Sequence, residues 1–191
     1  MNDTGKLVVI TGPSGVGKTT IVHEVLKRCD VVFSVSVTTR GRRKGEVDGR
    51  DYRFVNRAEF EKMIADGGLL EWAEVFGELY GTPAEPIERA MAAGNTVMLD
   101  IDIQGGLQVH EKVSNATYIL ICPPDETVLA SRLAARASED EQVMKRRLAR
   151  AAKEVQTARE SGIYDHCIVN DDLETAIRQV CEIVDEESAE K

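Results

Sequence analysis

One glycine-rich segment constrains this chain more than any other feature. Residues 12–19 read GPSGVGKT and match the pattern G-x-x-x-x-G-K-[ST] at every fixed position. The apolar run Leu7–Ile10 precedes the segment and an amphipathic run from Thr19 follows it, which predicts a strand, a turn and a helix. Backbone N–H groups in such a turn converge on phosphate oxygens, and the helix dipole favours their negative charge. The alternative is a chance glycine-rich turn, against which the flanking elements argue.

The motif predicts a site for a nucleoside triphosphate. Lys18 is expected to reach the β- and γ-phosphates, and the Thr19 hydroxyl is expected to ligate Mg²⁺. Asp100 ends another apolar run, where phosphate-loop proteins place the carboxylate that holds Mg²⁺ through water. Asp102 lies two residues on and is expected to point the same way if the strand persists.

Composition argues against two classes of binding partner, nucleic acids and membranes. The chain has 191 residues, 42% of them hydrophobic, and a net charge of −9, which argues against a nucleic-acid-binding surface. It shows neither a long apolar stretch nor a signal-like N-terminus, so we expect no membrane association and a cytoplasmic location. The four cysteines form no C-x-x-C pair and are expected to be buried, reduced thiols.

Hydrophobic patterning predicts an α/β fold. Four apolar runs alternate with helical segments and indicate a parallel sheet covered on both faces: residues 7–10, 97–101, 118–122 and 167–169. Residues 38–82 break that rhythm with short polar strands and indicate an insertion with its own antiparallel sheet. Locally, Val31–Val37 is expected to be one strand, Tyr80–Pro83 a turn, and the acidic tail Asp185–Lys191 frayed.

Two groups of basic residues stand out in this acidic chain. The first lies between Thr38 and Asp51 and comprises Arg40, Arg42, Arg43, Lys44 and Arg50. A bare charge run is usually a solvated loop. Nearby Tyr52 and Tyr80 favour the other interpretation, because phenol and guanidinium groups grip a phosphate with fixed geometry.

The second basic group lies on a helical region broken near residues 137–140, at Arg132, Arg136, Arg146, Arg147 and Arg150. A helical hairpin rich in arginine indicates a mobile lid that closes over phosphates. The alternative is a pair of exposed helix faces whose arginines are paired with Glu139, Asp140 and Glu141.

Glu71 lies within the otherwise apolar segment Leu69–Ala73, where a carboxylate is costly unless it is paired. A glutamate accepts well from the N1–H and N2–H₂ edge of guanine, a donor pattern that adenine lacks. The alternative is an edge-strand residue that faces water.

Taken together, the chain resembles a guanylate kinase from about Leu7 to Val184. The segments that carry the resemblance are Gly12–Thr20, Ser34–Arg40, Gly45–Tyr52, Leu70–Trp72, Tyr80–Thr82, Leu99–Gly105 and Ile168–Asp171. The resemblance implies a P-loop three-layer α/β fold with a parallel core sheet, an inserted small antiparallel GMP-binding region and a helical lid. In a single domain of residues 1–191, the core would span about 1–33, 94–126 and 151–191, the GMP-binding region 34–93, and the lid 127–150.

The resemblance also implies an activity and a set of residues. The activity is direct, Mg²⁺-dependent transfer of the ATP γ-phosphoryl group to GMP or dGMP, without a covalent intermediate. The implied catalytic residues are Lys18, Arg40, Arg132, Arg136 and Arg147, and the implied metal ligands are Thr19 and Asp100. ATP would contact Gly12, Pro13, Ser14, Gly15, Val16, Gly17, Lys18, Thr19, Thr20 and Asn170. The guanine base would contact Ser36, Glu71, Thr82 and Asp102, and the GMP phosphate Arg40, Arg43, Tyr52 and Tyr80.

The chain departs from the family pattern at two places. The prolines usual around the second arginine are absent from Gly41–Lys44, so Arg42 and Arg43 are alternatives for one phosphate-binding role. Ala137 replaces a lid glycine and is expected to stiffen the hinge slightly. A non-catalytic scaffold domain and a kinase of the same fold for another base remain the alternatives. The oligomeric state, a homo-oligomer included, stays open.

Overall fold

A computed structural model of the protein describes residues 5–75, 77–113, 115–135 and 141–189. The helices are α1 (Lys18–Arg28), α2 (Arg57–Ala65), α3 (Ala84–Ala92), α4 (Ile103–Lys112), α5 (Glu126–Ala135), α6 (Glu141–Ser161) and α7 (Leu173–Ala189). The strands are β1 (Leu7–Thr11), β2 (Val32–Phe33), β3 (Val37–Thr38), β4 (Arg53–Phe54), β5 (Leu69–Val75), β6 (Glu78–Pro83), β7 (Val97–Asp100), β8 (Ala116–Cys122) and β9 (His166–Val169).

The larger sheet forms the core and has the order β2-β7-β1-β8-β9, with every pairing parallel. Side chains alternate across it, as the period of a strand requires. Val8 and Ile10 pack among residues of α1 and α7 on one face, whereas Leu7 and Val9 pack among residues of α3 and α4 on the other. This arrangement confirms the predicted three-layer α/β fold with a buried parallel sheet.

The smaller sheet has the order β4-β3-β6-β5 and lies within the predicted insertion. Strand β6 is antiparallel to both β3 and β5, but β4 pairs with β3 in parallel, so the sheet is mixed rather than wholly antiparallel. The prediction of one strand over Val31–Val37 is also wrong. After β2 the Ser34 N–H still donates to Met98 O of the core sheet, and from β3 onward the chain pairs in the smaller sheet.

Two further local predictions are wrong for tertiary reasons. Tyr80–Pro83 is not a turn but part of β6, because pairing with β5 along the hairpin outweighs the local turn preference of the sequence. The tail is helical to Ala189. Ser188 hydrogen-bonds Thr96, and Glu187 accepts from Thr117, so contacts with the core sheet hold the last turns of α7.

Helix α4 was not predicted, and its position explains how the two sheets are joined. Strand β7 ends at Asp100, and Asp102 accepts a hydrogen bond from Gly105 N–H as the N-cap of α4. The strand therefore does not persist to Asp102, so the condition under which Asp102 was expected to point the same way as Asp100 is not met. Further along α4, the Gln108 amide hydrogen-bonds both the N–H and C=O of Trp72, which covers the open edge of β5.

The region expected to form a lid contains α5, described to Ala135, and α6, described from Glu141. The predicted break near residues 137–140 lies outside the described residues. Ala137 and the predicted acidic partners Glu139 and Asp140 lie outside the described residues. In the described part of the chain, no helix combines the length and apolarity needed to cross a membrane.

Candidate active site

The phosphate loop (residues 12–19) runs from the carboxyl end of β1 to the first turn of α1. Gly17 has φ 97°, a left-handed conformation that favours glycine, and it caps the helix. A Cβ at this position would also lie 2.5 Å from Nδ2 of Asn170. The loop therefore needs glycine at residue 17 both for its backbone conformation and for its contact with the end of β9.

Asn170 fastens the loop to the core sheet. Its side chain is 4% exposed and donates from Nδ2 to Val16 O at 2.7 Å, while its backbone N–H donates to Cys122 O at 2.8 Å. The guanidinium of Arg132, from α5, donates to Asn170 O at 3.0 Å. Arg132 therefore does not lie on an exposed helix face, whereas its alternative pairing with Glu139, Asp140 and Glu141 lies outside the described residues and side chains. The Asn170 Oδ1 atom has no hydrogen-bond partner among the described residues.

A cleft of about 470 Å³ brings most of the predicted site residues together between the loop and the smaller sheet. Its lining includes the whole loop together with Ser36, Tyr52, Glu71, Tyr80, Asp100 and Asp102. The predicted residues Thr20, Arg40, Arg43, Thr82, Arg132 and Asn170 do not line it. Arg136 lies outside the described residues, and so do the side chains of Arg146, Arg147 and Arg150.

Lys18 and Asp100 form an ion pair at the floor of this cleft. Burial lowers the pKa of Lys18 to about 8, and the nearby carboxylates of Asp102 and Glu154 oppose that shift. With a pKa of about 8, Lys18 is mostly protonated at neutral pH, but it begins to lose its charge just above that pH. An incoming phosphate must therefore share Lys18 with Asp100.

Glu71 is the most unusual group in the cleft, because its carboxylate is buried with only 6% of the residue exposed. The alternative of a glutamate facing water is therefore wrong, although β5 does lie at the edge of its sheet. Thr82 donates to Glu71 Oε1 at 2.5 Å, and burial raises the pKa of Glu71 to about 7. The other oxygen, Oε2, lies 2.7 Å from where a Cβ on Gly105 would sit. Glycine at this position thus leaves room for the carboxylate.

Of the residues predicted to bind the GMP phosphate, Arg40, Tyr52 and Tyr80 lie close together. Arg40 makes a bidentate pair with Glu46, at 2.8 and 3.0 Å, and its guanidinium lies 5.4 Å from the Tyr52 ring centre. Tyr52 and Tyr80 meet edge to face at 6.1 Å. Of the remaining basic residues in the first group, Arg42, Arg43, Lys44 and Arg50 are exposed, as expected of a solvated loop.

Sequence reasoning missed three contributors to this site: Glu46, Gly105 and Glu154. Glu154, on α6, lines the cleft, and its Oε2 lies 3.4 Å from the Ser14 N–H of the loop. Glu46 pairs with Arg40 six residues away, and a G-E-V-D-G segment carries no local signal for that role. The sequence pattern predicted the helix that carries Glu154, but it did not indicate that this side chain would face the phosphate loop.

The chain matches the family model described as guanylate kinase over residues 4–187. A guanylate kinase of Nocardia farcinica is 48% identical over 179 residues, which cover 92% of this chain and 91% of that protein. One from Synechocystis is 45% identical over 184 residues, 96% of this chain and 95% of that protein.

A solved structure gives the same result. The crystal structure of guanylate kinase from Anaplasma phagocytophilum superposes with a TM-score of 0.79 at 35% identity, and the alignment covers 97% of this chain and 87% of that one. Sequence and structure therefore agree over almost the full length, and the chain belongs to the guanylate kinase family.

Proposed function

We propose that this protein transfers the γ-phosphoryl group of ATP to GMP, giving ADP and GDP. The observation that carries the choice of acceptor is the buried carboxylate of Glu71, which Thr82 orients and which lies at the wall of the cleft. A buried acceptor pair requires donors, and the N1–H and N2–H₂ edge of guanine supplies two. Asp102 and Ser36 line the same cleft and complete the proposed base contacts.

Binding of guanine changes the charge balance at Glu71. Burial raises the pKa of Glu71 to about 7, so the group is partly protonated at neutral pH. Two donors facing the carboxylate stabilise its charged form and lower that pKa. Adenine presents an unprotonated N1 at the corresponding position. The wild-type protein is therefore expected to accept AMP poorly.

The phosphate of GMP would bind on the same wall of the cleft. Tyr52 and Tyr80 line it, and Arg40 lies against the Tyr52 ring. The two guanidinium N–H groups of Arg40 that now donate to Glu46 would then donate to phosphate oxygens instead. Arg43 is exposed on the same loop and supplies a second charge by a change of rotamer.

The donor ATP would lie on the phosphate loop, with its phosphates on the loop N–H groups and on Lys18. Asn170 stays the proposed neighbour of adenine, although its Oδ1 atom is buried and the residue does not line the cleft. On this proposal the core and GMP-binding regions supply opposite walls of one cleft, and α5 and α6 supply the lid.

The residues present also fit Mg²⁺. Thr19 and Asp100 both line the cleft, and each carries a side-chain oxygen. Mg²⁺ is typically held by one or two protein oxygens together with substrate phosphates. The described residues hold no cluster of three or more His, Cys, Asp or Glu that would make a cage on its own. Once bound, Mg²⁺ neutralises phosphate charge.

Catalysis on this proposal is alignment plus electrostatic stabilisation. No side chain serves as a nucleophile, because a GMP phosphate oxygen attacks the γ-phosphorus directly. Lys18 and the arginines stabilise the charge on the transferring group, and the lid excludes water. A cytoplasmic location remains a prediction from sequence, and the oligomeric state stays open.

A substrate panel combined with one variant tests the proposal. Wild-type protein should release ADP with GMP and dGMP, and much more slowly with AMP, CMP or UMP, in a coupled assay. Glu71→Gln replaces an acceptor with a donor that faces a donor, and should lower kcat/KM for GMP by a factor corresponding to about 2–4 kcal/mol. ATP affinity, measured by equilibrium binding, should change little.

Glu74→Gln is the matched control, because Glu74 lies on the same strand and is exposed. It should leave GMP kinetics unchanged. If AMP is as good an acceptor as GMP, or if Glu71→Gln behaves like its control, the guanine assignment is wrong. The alternative of a kinase for another base would then gain support.

A further inference from the structure

The four cysteines, which the sequence scatters along the chain, meet as two pairs. Cys122 Sγ and Cys167 Sγ lie 2.9 Å apart, and the thiols of Cys29 and Cys181 also interact with each other. The expectation that all four are buried is wrong, because Cys167 is exposed. A buried thiol in direct contact with an exposed one is an arrangement that the phosphoryl-transfer chemistry does not use.

Strand register explains why Cys122 and Cys167 meet. Strands β8 and β9 pair in parallel with Leu120 opposite Cys167 and Cys122 opposite Val169. Residues two apart on a strand share a face, so Cys122 and Leu120 lie on the same face as Cys167. The two thiols are therefore diagonal neighbours, and their sulfurs need to approach by less than one ångström to reach the length of a disulfide bond.

We propose that Cys122 and Cys167 are an oxidisable pair that forms a disulfide across β8 and β9. The exposed Cys167 sulfur attacks one oxygen of hydrogen peroxide, the O–O bond breaks, and Cys167 becomes a sulfenic acid with release of water. The Cys122 sulfur then attacks the Cys167 sulfur, the S–O bond breaks, and a second water carries away the oxygen and the Cys122 proton. Two thiols and one peroxide thus give one disulfide and two waters.

The order of these two steps follows from exposure. Cys167 is open to solvent and meets the peroxide, whereas Cys122 is 4% exposed and packs against Ile103, Leu120 and Ala158. Burial and the contact with Cys167 raise the pKa of Cys122 to about 12, which disfavours Cys122 as the first nucleophile.

The position of the pair indicates what the disulfide would do. Helices α5 and α6 lie between Cys122 and Cys167 along the chain. Strand β9, which carries Cys167, is an edge strand of the core sheet. The bond would therefore join the two strands between which the chain runs through α5 and α6, next to the junction that leads to Asn170. Neither sulfur lines the cleft, so the modification should stabilise the fold without blocking the substrates.

The test compares reduced and peroxide-treated protein by peptide mapping, thermal unfolding and the coupled kinase assay. We expect a Cys122–Cys167 cross-linked peptide, lighter by two hydrogen atoms, and a Tm higher by about 5–10 °C, since closing a long loop stabilises through the unfolded chain. Dithiothreitol should reverse both changes, and GMP kinase turnover should stay within about twofold.

Matched variants separate the two pairs. Cys167→Ser is an exposed, nearly isosteric change that should fold normally, keep its turnover, and lose both the cross-link and the rise in Tm. Cys181→Ser disrupts the other pair and should retain both. The inference is overturned if peroxide leaves Cys122 and Cys167 reduced, over-oxidises Cys167 without a cross-link, joins two chains through Cys167, or forms the bond with loss of turnover.

Discussion

The two walls of the cleft are built in different ways. The phosphate loop is defined by backbone: a strand end, glycines and a helix start, fastened to the sheet by Asn170 and Arg132. The opposite wall is defined by side chains from separate elements, among them Glu71 on β5 and Thr82 on β6. On the proposed function, the first wall would bind the phosphates that all nucleotides share, and the second would distinguish one base from another.

The difference has a physical cause. Phosphate oxygens are bound well by convergent N–H groups, which a short contiguous segment provides. A base edge needs a particular order of donors and acceptors, and long-range packing must hold each of them. We therefore expect changes on the loop side to affect phosphoryl transfer in general, and changes on the other wall to affect GMP alone.

The largest effect is expected for Lys18→Ala. Removing a charge that is buried beside the transferring group should lower turnover by about 10³-fold with any acceptor. The fold should persist, which circular dichroism and thermal unfolding would check. Lys27→Ala is the control, because Lys27 is an exposed lysine on the same helix, paired with Glu24. Normal turnover in Lys18→Ala would contradict the assigned role of the loop.

A smaller effect, confined to the acceptor, is expected at the arginine-rich loop. Arg40→Met and Arg43→Met should each raise KM for GMP and lower turnover by about 10–100-fold, because each removes a charge-assisted hydrogen bond to phosphate. Equilibrium binding of ATP should not change. Arg42→Met is the matched variant on the same exposed turn. If it is the damaging change and Arg43→Met is silent, the assignment of the turn is wrong by one residue.

Gly105→Ala should have a more modest effect at the junction of the two walls. Its Cβ would lie 2.7 Å from Glu71 Oε2, so the carboxylate must shift away from its position in the cleft. We expect KM for GMP to rise about tenfold with unchanged ATP binding. In the control Gly68→Ala, the new Cβ would meet only Met63 O, at 3.5 Å. Equal kinetics in the two variants would show that Glu71 has room to move without loss.

The smallest expected effect concerns stability and has the opposite sign. Folding raises the pKa of Glu71 from 4.5 to about 7, so the folded state binds more protons and Glu71 destabilises it progressively as pH rises between these values. Glu71→Gln removes this cost. The shift corresponds to about 3 kcal/mol at pH 8, and burying the unpaired Gln amide offsets about 2 kcal/mol of this. Urea denaturation at pH 8 should therefore show the variant about 1 kcal/mol more stable than wild type, and the gain should shrink at pH 5.

Glu74→Gln again serves as the control for that measurement, because its side chain is exposed. A gain that is the same at both pH values would mean that ionisation of Glu71 carries no cost. In that case the ionised Glu71 carboxylate would already have enough hydrogen-bond donors within the protein and would not need those of a bound base.

The same contrast explains how much could be predicted from the sequence. The loop, β1 and the parallel sheet were predicted because contiguous residues carry their signals. Helix α4 was missed because Gly105 and Gly106 weaken its local helix propensity, whereas its Asp102 cap and its contacts with β5 stabilise it.

In the second wall, Glu71, Tyr52 and Tyr80 were singled out from the sequence itself, whereas Ser36 and Thr82 were named only through the family resemblance. Burial of Glu71 could be inferred from its apolar neighbours, but its partner Thr82 lies on another strand. Glu154 reaches the Ser14 N–H from a helix 140 residues along the chain, and no local pattern of residues predicts that contact. Assignments of this kind depend on tertiary structure.

If Arg40 binds the GMP phosphate as proposed, its bidentate pair with Glu46 makes that carboxylate an internal competitor for anions. Glu46 is tethered six residues from Arg40, so it acts at a high effective concentration that free phosphate in solution must overcome. Inorganic phosphate can replace Glu46 only through its own interaction with the Arg40 guanidinium. A nucleotide adds the free energy of its base contacts, so the tether favours occupation of the site by whole nucleotides over small anions.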